Sequence, residues 1–261
     1  MSRRRLDTLL AERGLAPSRT SAAASVRAGL VRVGAGRSRA EKPSQLVSED
    51  AELLVAERPR YVSRGAIKLE NALRALEVPV AGRACLDVGA STGGFTDCLL
   101  ERDAARVIAL DVAYGQLDWR LRQDPRVTVI ERTNARHIEP ERLPYRPEFV
   151  TIDVSFISLA KVLPAVARCL APGGEVLALV KPQFELGRER VGKGGVVRDP
   201  ADRRAAILAV ARAAAELGLE STGFASSGLP GPKGNRETFV RCASGGRRVE
   251  DLEAAVAEVD A

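Results

Sequence analysis

Short, nearly continuous apolar runs alternate with longer amphipathic stretches from residue 83 to the end of the 261-residue chain. That alternation is the signature of a parallel sheet joined by crossover helices. The runs are ACLDVG (84–89), RVIALDV (106–112), VTVIE (127–131), FVTIDV (149–154), EVLALVK (175–181), LESTGFA (219–225) and ETFVRC (237–242). No helix separates the last two, so they are expected to pair antiparallel. The fold class is therefore α/β, a Rossmann-like seven-stranded sheet with six parallel strands and one antiparallel strand inserted near an edge. Ile207, Val210, Ala211, Ala214 and Leu217 form one helical stripe, and Val249, Leu252, Val256 and Val259 form another. Both stripes are expected to face the core.

The first 58 residues have a different rhythm. RRRLDTLLAERGL places Leu6, Leu9 and Leu10 on one helical face and ends at Gly14; Ser18 then caps a second helix that runs to Ala28. Val31 and Val33 alternate as a strand, and LLVAE at 53–57 reads as another. With RLDTLLAERGLAPSR, AGLVRV and KPS, this segment resembles the RNA-binding domain shared by ribosomal protein S-four, tyrosyl-tRNA synthetases and pseudouridine synthases. VGAGRSRAEKPS stands where that family often has a tighter turn. The expected organisation is a small α+β RNA-binding domain over 1–58, a linker over 59–66 and a Rossmann domain over 67–261, with a helix from about Ile67 to Leu76.

Charge sharpens the division. The net charge is +6, and the first 60 residues hold 12 Lys and Arg against 7 Asp and Glu, while the remainder holds 28 against 27. A basic unit joined to a near-neutral body suggests a nucleic-acid anchor on a catalytic domain, the alternative being an ordinary solvated surface. Four unpaired-spacing cysteines (85, 98, 169, 242) and a single histidine, His137, exclude a disulfide framework and argue against a metal site. No apolar run approaches the roughly 20 residues that cross a bilayer, and MSRRRLDTLLAERG has no signal-peptide core. A cytoplasmic location is expected.

The chain uses 34 arginines but only six lysines. Arginine serves wherever a positive charge suffices, so each remaining lysine invites a chemical question. Lys68 and Lys181 lie beside apolar residues, in AIKLENAL and LALVKPQF. The first strand ends in DVGASTGGFTD, where Gly89, Ala90, Ser91, Thr92, Gly93, Gly94 and Phe95 form a loop opening a helix. Such a loop lets backbone N–H groups approach a ligand. Asp111, ending the second strand, can accept from both hydroxyls of a ribose, and Asn134, after the third, lies where an adenine would sit. A nicotinamide dinucleotide could use the same arrangement, but GxGxxG and the GxxxxGK[ST] phosphate loop are absent. S-adenosylmethionine fits better.

Asp153 follows the fourth strand, Lys181 the fifth, Glu237 opens the seventh, and Lys68 rides the preceding helix. In an open α/β sheet these ends meet at one crevice. A ribose hydroxyl attacks a methyl sulfonium only when its proton is removed or its oxygen oriented, and a lysine flanked by carboxylates can do this. Lys181 is assigned as base or orienting group and Asp153 as its partner, with Lys68 and Glu237 completing the network; two ordinary ion pairs remain the alternative. Asp153-Val154-Ser155-Phe156 replaces the Asn/Asp-Pro-Pro-aromatic run of amine methylation, and no cysteine ends a strand as carbon methylation needs.

YVSRGAIKLENAL, LDVGASTGGFTDCLL, DVAYGQLDWRLR, ERTNARHI, DVSFISL, LVKPQFE, GGVVRDP and GLPGPKGNRETF together resemble the TlyA family along essentially the whole chain, and the larger half resembles the FtsJ-like class I methyltransferases. The resemblance implies 2′-O-methylation of cytidine in ribosomal RNA of the small subunit, the large subunit or both, with S-adenosylmethionine as donor. The FtsJ-like Lys-Asp-Lys-Glu tetrad maps onto Lys68, Asp153, Lys181 and Glu237. Arg3, Arg4, Arg5, Arg19, Arg27, Lys42, Arg64, Arg188 and Lys193 are expected to meet RNA phosphates. The basic, glycine-rich loops 184–200 and 228–236 belong to the same surface. The family also carries the label hemolysin, which raises a membrane-active alternative, but the last helix has an acidic polar face (Glu250, Asp251, Glu253, Glu258). An RNA-binding module with an inactive methyltransferase fold is the third reading.

Overall fold

A computed structural model describes residues 2–56, 60–231, 233–245 and 248–260; the side chain of Arg188 lies outside the described residues. The chain divides into two compact units, Met1–Arg60 and Tyr61–Ala261.

In the first unit, strand β1 (Arg3–Arg5) leads into helices α1 (Leu6–Glu12) and α2 (Arg19–Arg27). Strands β2 (Val31–Val33), β3 (Ser38–Arg39), β4 (Leu46–Ser48) and β5 (Leu53–Val55) follow. Ser18 caps α2 as its spacing requires, its hydroxyl accepting from the Ser21 N–H at 3.1 Å. Leu6, Leu10, Ala22, Val26, Val31 and Val47 form the buried centre. Two features escape a periodicity reading. The three arginines pair antiparallel with Leu46–Ser48 rather than extending α1, and VGAGRSR closes as a hairpin, β2 pairing with β3 on one side and β5 on the other.

The second unit opens with helix α3 (Arg64–Ala75), so the linker expected over 59–66 is shorter than the sequence suggested. Ser63, extended in backbone conformation, starts the helix three residues earlier because Ala66 already packs on the core face. Residues 57–59, including the first expected linker residue, Pro59, lie outside the described residues. The alternation then runs β6 (Ala84–Val88), α4 (Gly94–Glu101), β7 (Arg106–Leu110), α5 (Trp119–Gln123) and β8 (Val127–Ile130). It continues through β9 (Phe149–Ile152), α6 (Leu163–Cys169), β10 (Glu175–Val180), α7 (Pro182–Glu185) and α8 (Pro200–Ala215). Strands β11 (Glu220–Ser226) and β12 (Thr238–Ala243) and helix α9 (Leu252–Val259) complete it.

The sheet order is β11-β12-β10-β9-β6-β7-β8. Strand β12 runs antiparallel to both neighbours; the other pairs are parallel. Successive side chains point to opposite faces, which splits the core in two. Leu86, Val88, Val150 and Ile152 pack against α6 and α8, whereas Cys85, Phe149, Leu177 and Leu179 pack against α3 and α4. All four cysteines are buried, and burial pushes the thiols of Cys85 and Cys242 up to about 12, well away from the thiolate state a nucleophile needs. Among the described residues, no helix is long and apolar enough to cross a membrane, and no cluster of side chains suits a metal ion.

Candidate active site

The antiparallel strand creates the site. Because β12 is reversed, its first residues lie at the same rim as the last residues of the parallel strands, and Val180 pairs with Thr238. That register sets Lys181 and Glu237 side by side, each one residue beyond its strand. Strand β9 is next in the sheet and delivers Asp153. Lys68, in the second turn of α3, reaches the same rim from below. Its ammonium is hydrogen-bonded to Glu237 Oε2, with side-chain exposures of only 11% and 1%. Lys181 Nζ lies 2.5 Å from Asp153 Oδ1 and donates to Ser155 Oγ at 2.9 Å. All four ionic residues line a cavity of about 760 Å³, within the 300–1,000 Å³ range of small-molecule sites. Two lysine–carboxylate pairs thus face one cleft. Each ammonium has further N–H donors beyond its carboxylate, so the arrangement can hold a hydroxyl oxygen between them, and a lysine that gives up one proton can receive that of the hydroxyl.

Opposite the pairs lies the glycine loop. Gly89 has φ +87°, and a Cβ there would fall 2.4 Å from the carbonyl oxygen of Asp153, so only glycine allows β6 and β9 to end this close together. Gly93, at φ +98°, begins α4 in the left-handed region; a Cβ would run into Leu121 and Leu117. The helix start is held from beneath by Asp87. Its Oδ2 accepts from the Thr96 backbone N–H at 2.9 Å and the Thr96 hydroxyl at 2.8 Å, and Oδ1 accepts from the Thr151 hydroxyl at 3.3 Å. Burial, opposed by the Thr96 bonds and helped by the nearby Asp153 charge, pushes this carboxyl up to about 7.

Gly89, Ala90, Ser91, Thr92, Gly94 and Phe95 line the cavity; Gly93, Asp111 and Asn134 do not. Asp111 adjoins it, accepting from the Ser91 N–H and the Ala113 N–H, both at 2.7 Å. Each oxygen keeps a lone pair for a ribose hydroxyl. Asn134 caps the short turn Ala135–His137, its Oδ1 accepting from Arg136 N–H at 3.1 Å.

Of the expected phosphate contacts, Arg64 lines the cavity. In the first unit Arg3, Arg27 and Lys42 are exposed, but Arg4 and Arg5 already hold partners. Arg4 pairs with Glu12 at 2.5 Å and Glu49 at 3.3 Å, while Arg5 grips Asp7 through both Nε and Nη2. Arg19 adds a second cation to Asp7 at 3.3 Å. The Arg5 bonds hold the Asp7 carboxyl down at about 2. Lys193 is exposed in the loop before α8.

Sequence reading left several lining residues unassigned. Ser155 and Phe156 follow Asp153, and Gln183 and Phe184 follow Lys181; their signal is adjacency to strand-end residues already singled out. Phe156 is 92% exposed in a left-handed backbone conformation and stands 5.1 Å from the Phe184 ring centre. Asn235 is buried and joins the two glycine-rich loops, accepting from Val197 N–H at 2.9 Å and donating to the Gly195 carbonyl at 2.7 Å. No local pattern announces a bridge across 40 residues.

The family model for FtsJ-like methyltransferases matches residues 61–244, and the S4 domain model matches residues 4–53. The chain is 54% identical over 244 residues to the 16S/23S rRNA (cytidine-2′-O)-methyltransferase TlyA of Mycobacterium tuberculosis, covering 92% of this chain and 90% of that protein. It is 38% identical over 236 residues to Hemolysin A of Brachyspira hyodysenteriae, covering 89% and 97%. A hemolysin-type structure from Streptococcus thermophilus matches with a TM-score of 0.74 at 40% identity, covering 100% of this chain and 95% of that one.

Proposed function

Because this chain belongs to the TlyA family of FtsJ-like methyltransferases, we infer that it transfers the methyl group of S-adenosylmethionine to the 2′ hydroxyl of a cytidine in ribosomal RNA. The observation that carries the reading is the meeting of Lys68–Glu237 and Lys181–Asp153 at one cavity beside a glycine loop. The substrate is RNA of the small subunit, the large subunit or both, met in the cytoplasm where ribosomes assemble.

The residues present suit the cofactor. The cradle that Gly89 keeps open, the N–H groups beginning α4 and the Asp111 carboxylate form a donor and acceptor set for an adenosyl and amino-acid ligand. Asn134, after β8, is assigned to the adenine. When bound, S-adenosylmethionine supplies an electrophilic methyl group on a sulfonium sulfur. In its neutral amine form Lys181 would orient the attacking O2′ and accept its proton on the nitrogen lone pair as the methyl group passes to that oxygen. Asp153 and Ser155 hold the Nζ of Lys181 beside the cavity that the residue lines. Lys68, anchored by Glu237, holds the oxygen from the other side. Desolvation strengthens every one of these contacts. The exposed Arg3, Arg27 and Lys42, with Arg64 and Lys193, draw in the RNA backbone.

Purified protein is incubated with unmodified ribosomal subunits and labelled S-adenosylmethionine, and the nucleosides are analysed by mass. Appearance of 2′-O-methylcytidine, lowered about 100-fold or more in Lys181→Ala with cofactor affinity retained, is the expected result. No transfer to either subunit by protein that binds cofactor refutes the reading.

A further inference from the structure

The strand-end run Lys181-Pro182-Gln183-Phe184-Glu185 is accounted for at every position but one. Lys181 belongs to the ionic centre, and Pro182 occupies the first position of α7, where its missing N–H is harmless. Phe184 pairs with Phe156. Glu185 staples the short helix to the segment after β9, accepting from the Ser158 hydroxyl at 2.6 Å and the Leu159 N–H at 3.0 Å. Gln183 lines the cavity, yet its Oε1 is buried with no hydrogen-bond partner among the described residues. A buried acceptor left unpaired is costly, and at a binding site it marks the place of a donor on the ligand.

We propose that Gln183 is a specificity-determining residue that reads the edge of the target base, accepting through Oε1 from an exocyclic amino group. The inference rests on the ribose-methyltransferase reading above and adds the choice of base. Gln183 stands two residues from Lys181 on a helix whose far end Glu185 fixes, so one short anchored segment carries both the residue facing the ribose and the carboxamide. Cytosine presents an amino donor next to the N3 acceptor, and a carboxamide complements both at once, Oε1 accepting and Nε2 donating. Uracil presents the reverse order, a carbonyl oxygen facing Oε1 and an N–H facing Nε2. In the amide orientation seen here an acceptor would face an acceptor and two polar groups would be left unpaired, so uracil requires the carboxamide to turn over, and the discrimination is the cost of that turn.

The test compares subunits carrying cytidine or uridine at the modified position, with 2′-O-methylcytidine and 2′-O-methyluridine quantified by mass. Wild-type protein favours cytidine; Gln183→Leu, of similar size and without polar atoms, lowers the cytidine-to-uridine rate ratio about tenfold while cofactor affinity holds. Gln183→Glu keeps the acceptor but cannot donate to N3, and lowers the same ratio through the cytidine rate. An unchanged ratio in both variants overturns the role of Gln183, as does a wild-type protein that takes both bases equally. Absence of any transfer by the wild type instead defeats the underlying reading, so the two failures are distinct.

Discussion

Lys68 and Glu237 are paired where water hardly reaches, and this decides how each substitution fails. Removing one partner leaves the other as an uncompensated buried charge, at a cost of about 3–5 kcal/mol, whereas replacing both with apolar residues restores much of the loss. Lys68→Met and Glu237→Leu are each expected to lower the urea midpoint strongly, and the double variant to recover most of it while methyl transfer stays absent. A double variant no more stable than the singles would mean that packing, not charge, holds the pair. Asp87 behaves differently. Its carboxyl is raised to about 7 by burial, against about 3.9 in an unfolded chain. Between those values the folded chain keeps a proton that the unfolded chain has released, so this residue makes stability fall as pH rises from about 4 to about 7. Asp87→Asn can still accept from Thr96 but has no such proton. The stability of the variant relative to wild type should therefore grow across that interval, as followed by urea unfolding at several pH values.

At the level of elements, most of the sheet was legible because its strands are buried on both faces and read as apolar runs. All seven expected strands are present within a residue or two of their ends, and the helix-free loop between β11 and β12 correctly signalled the reversed strand. What escaped had weak periodicity. Arg3–Arg5 carry no alternation, and only the register of Arg4 opposite Val47 makes them a strand. Of the four residues expected at the ionic centre, Asp153, Lys181 and Glu237 were readable as strand-end chemistry and Lys68 as a rare lysine on the entry helix, but Ser155, Gln183 and Asn235 are polar residues whose meaning comes from side chains distant in sequence or from a missing partner. The glycine loop was legible as a loop; that Gly89 exists to let two strands end together was not. Gly89→Ala would bring its Cβ to 2.4 Å from a backbone oxygen, so Asp153 must move. Cofactor affinity and transfer are both expected to fall by an order of magnitude or more, measurable by calorimetry and by label incorporation; an unaffected affinity would show that the rim yields freely.

The whole molecule separates two tasks into two compact units. The basic unit spends Arg4, Arg5 and Arg19 on its own carboxylates, and of the residues expected to meet phosphate there, Arg3, Arg27 and Lys42 are exposed outside those pairs. Changing those three to Ala is expected to weaken subunit binding and to reduce the slope of log affinity against log salt by up to about 0.7 per lost contact. Cofactor affinity, a property of the other unit, should be unaffected; an equal fall in both would refute the separation.

The reversal of β12 also has a consequence in time. Lys68 and Glu237 are 169 positions apart, so during synthesis the lysine, the glycine loop and five parallel strands leave the ribosome long before the carboxylate that neutralises the lysine has been made. A chain released early would contain much of the cofactor cradle but neither β12, which joins β10 to β11 in the sheet, nor the counter-charge for Lys68. Such a fragment is destabilised at its centre and readily unfolded for proteolysis. The same late carboxylate that completes the reaction site therefore distinguishes a finished chain from an abandoned one.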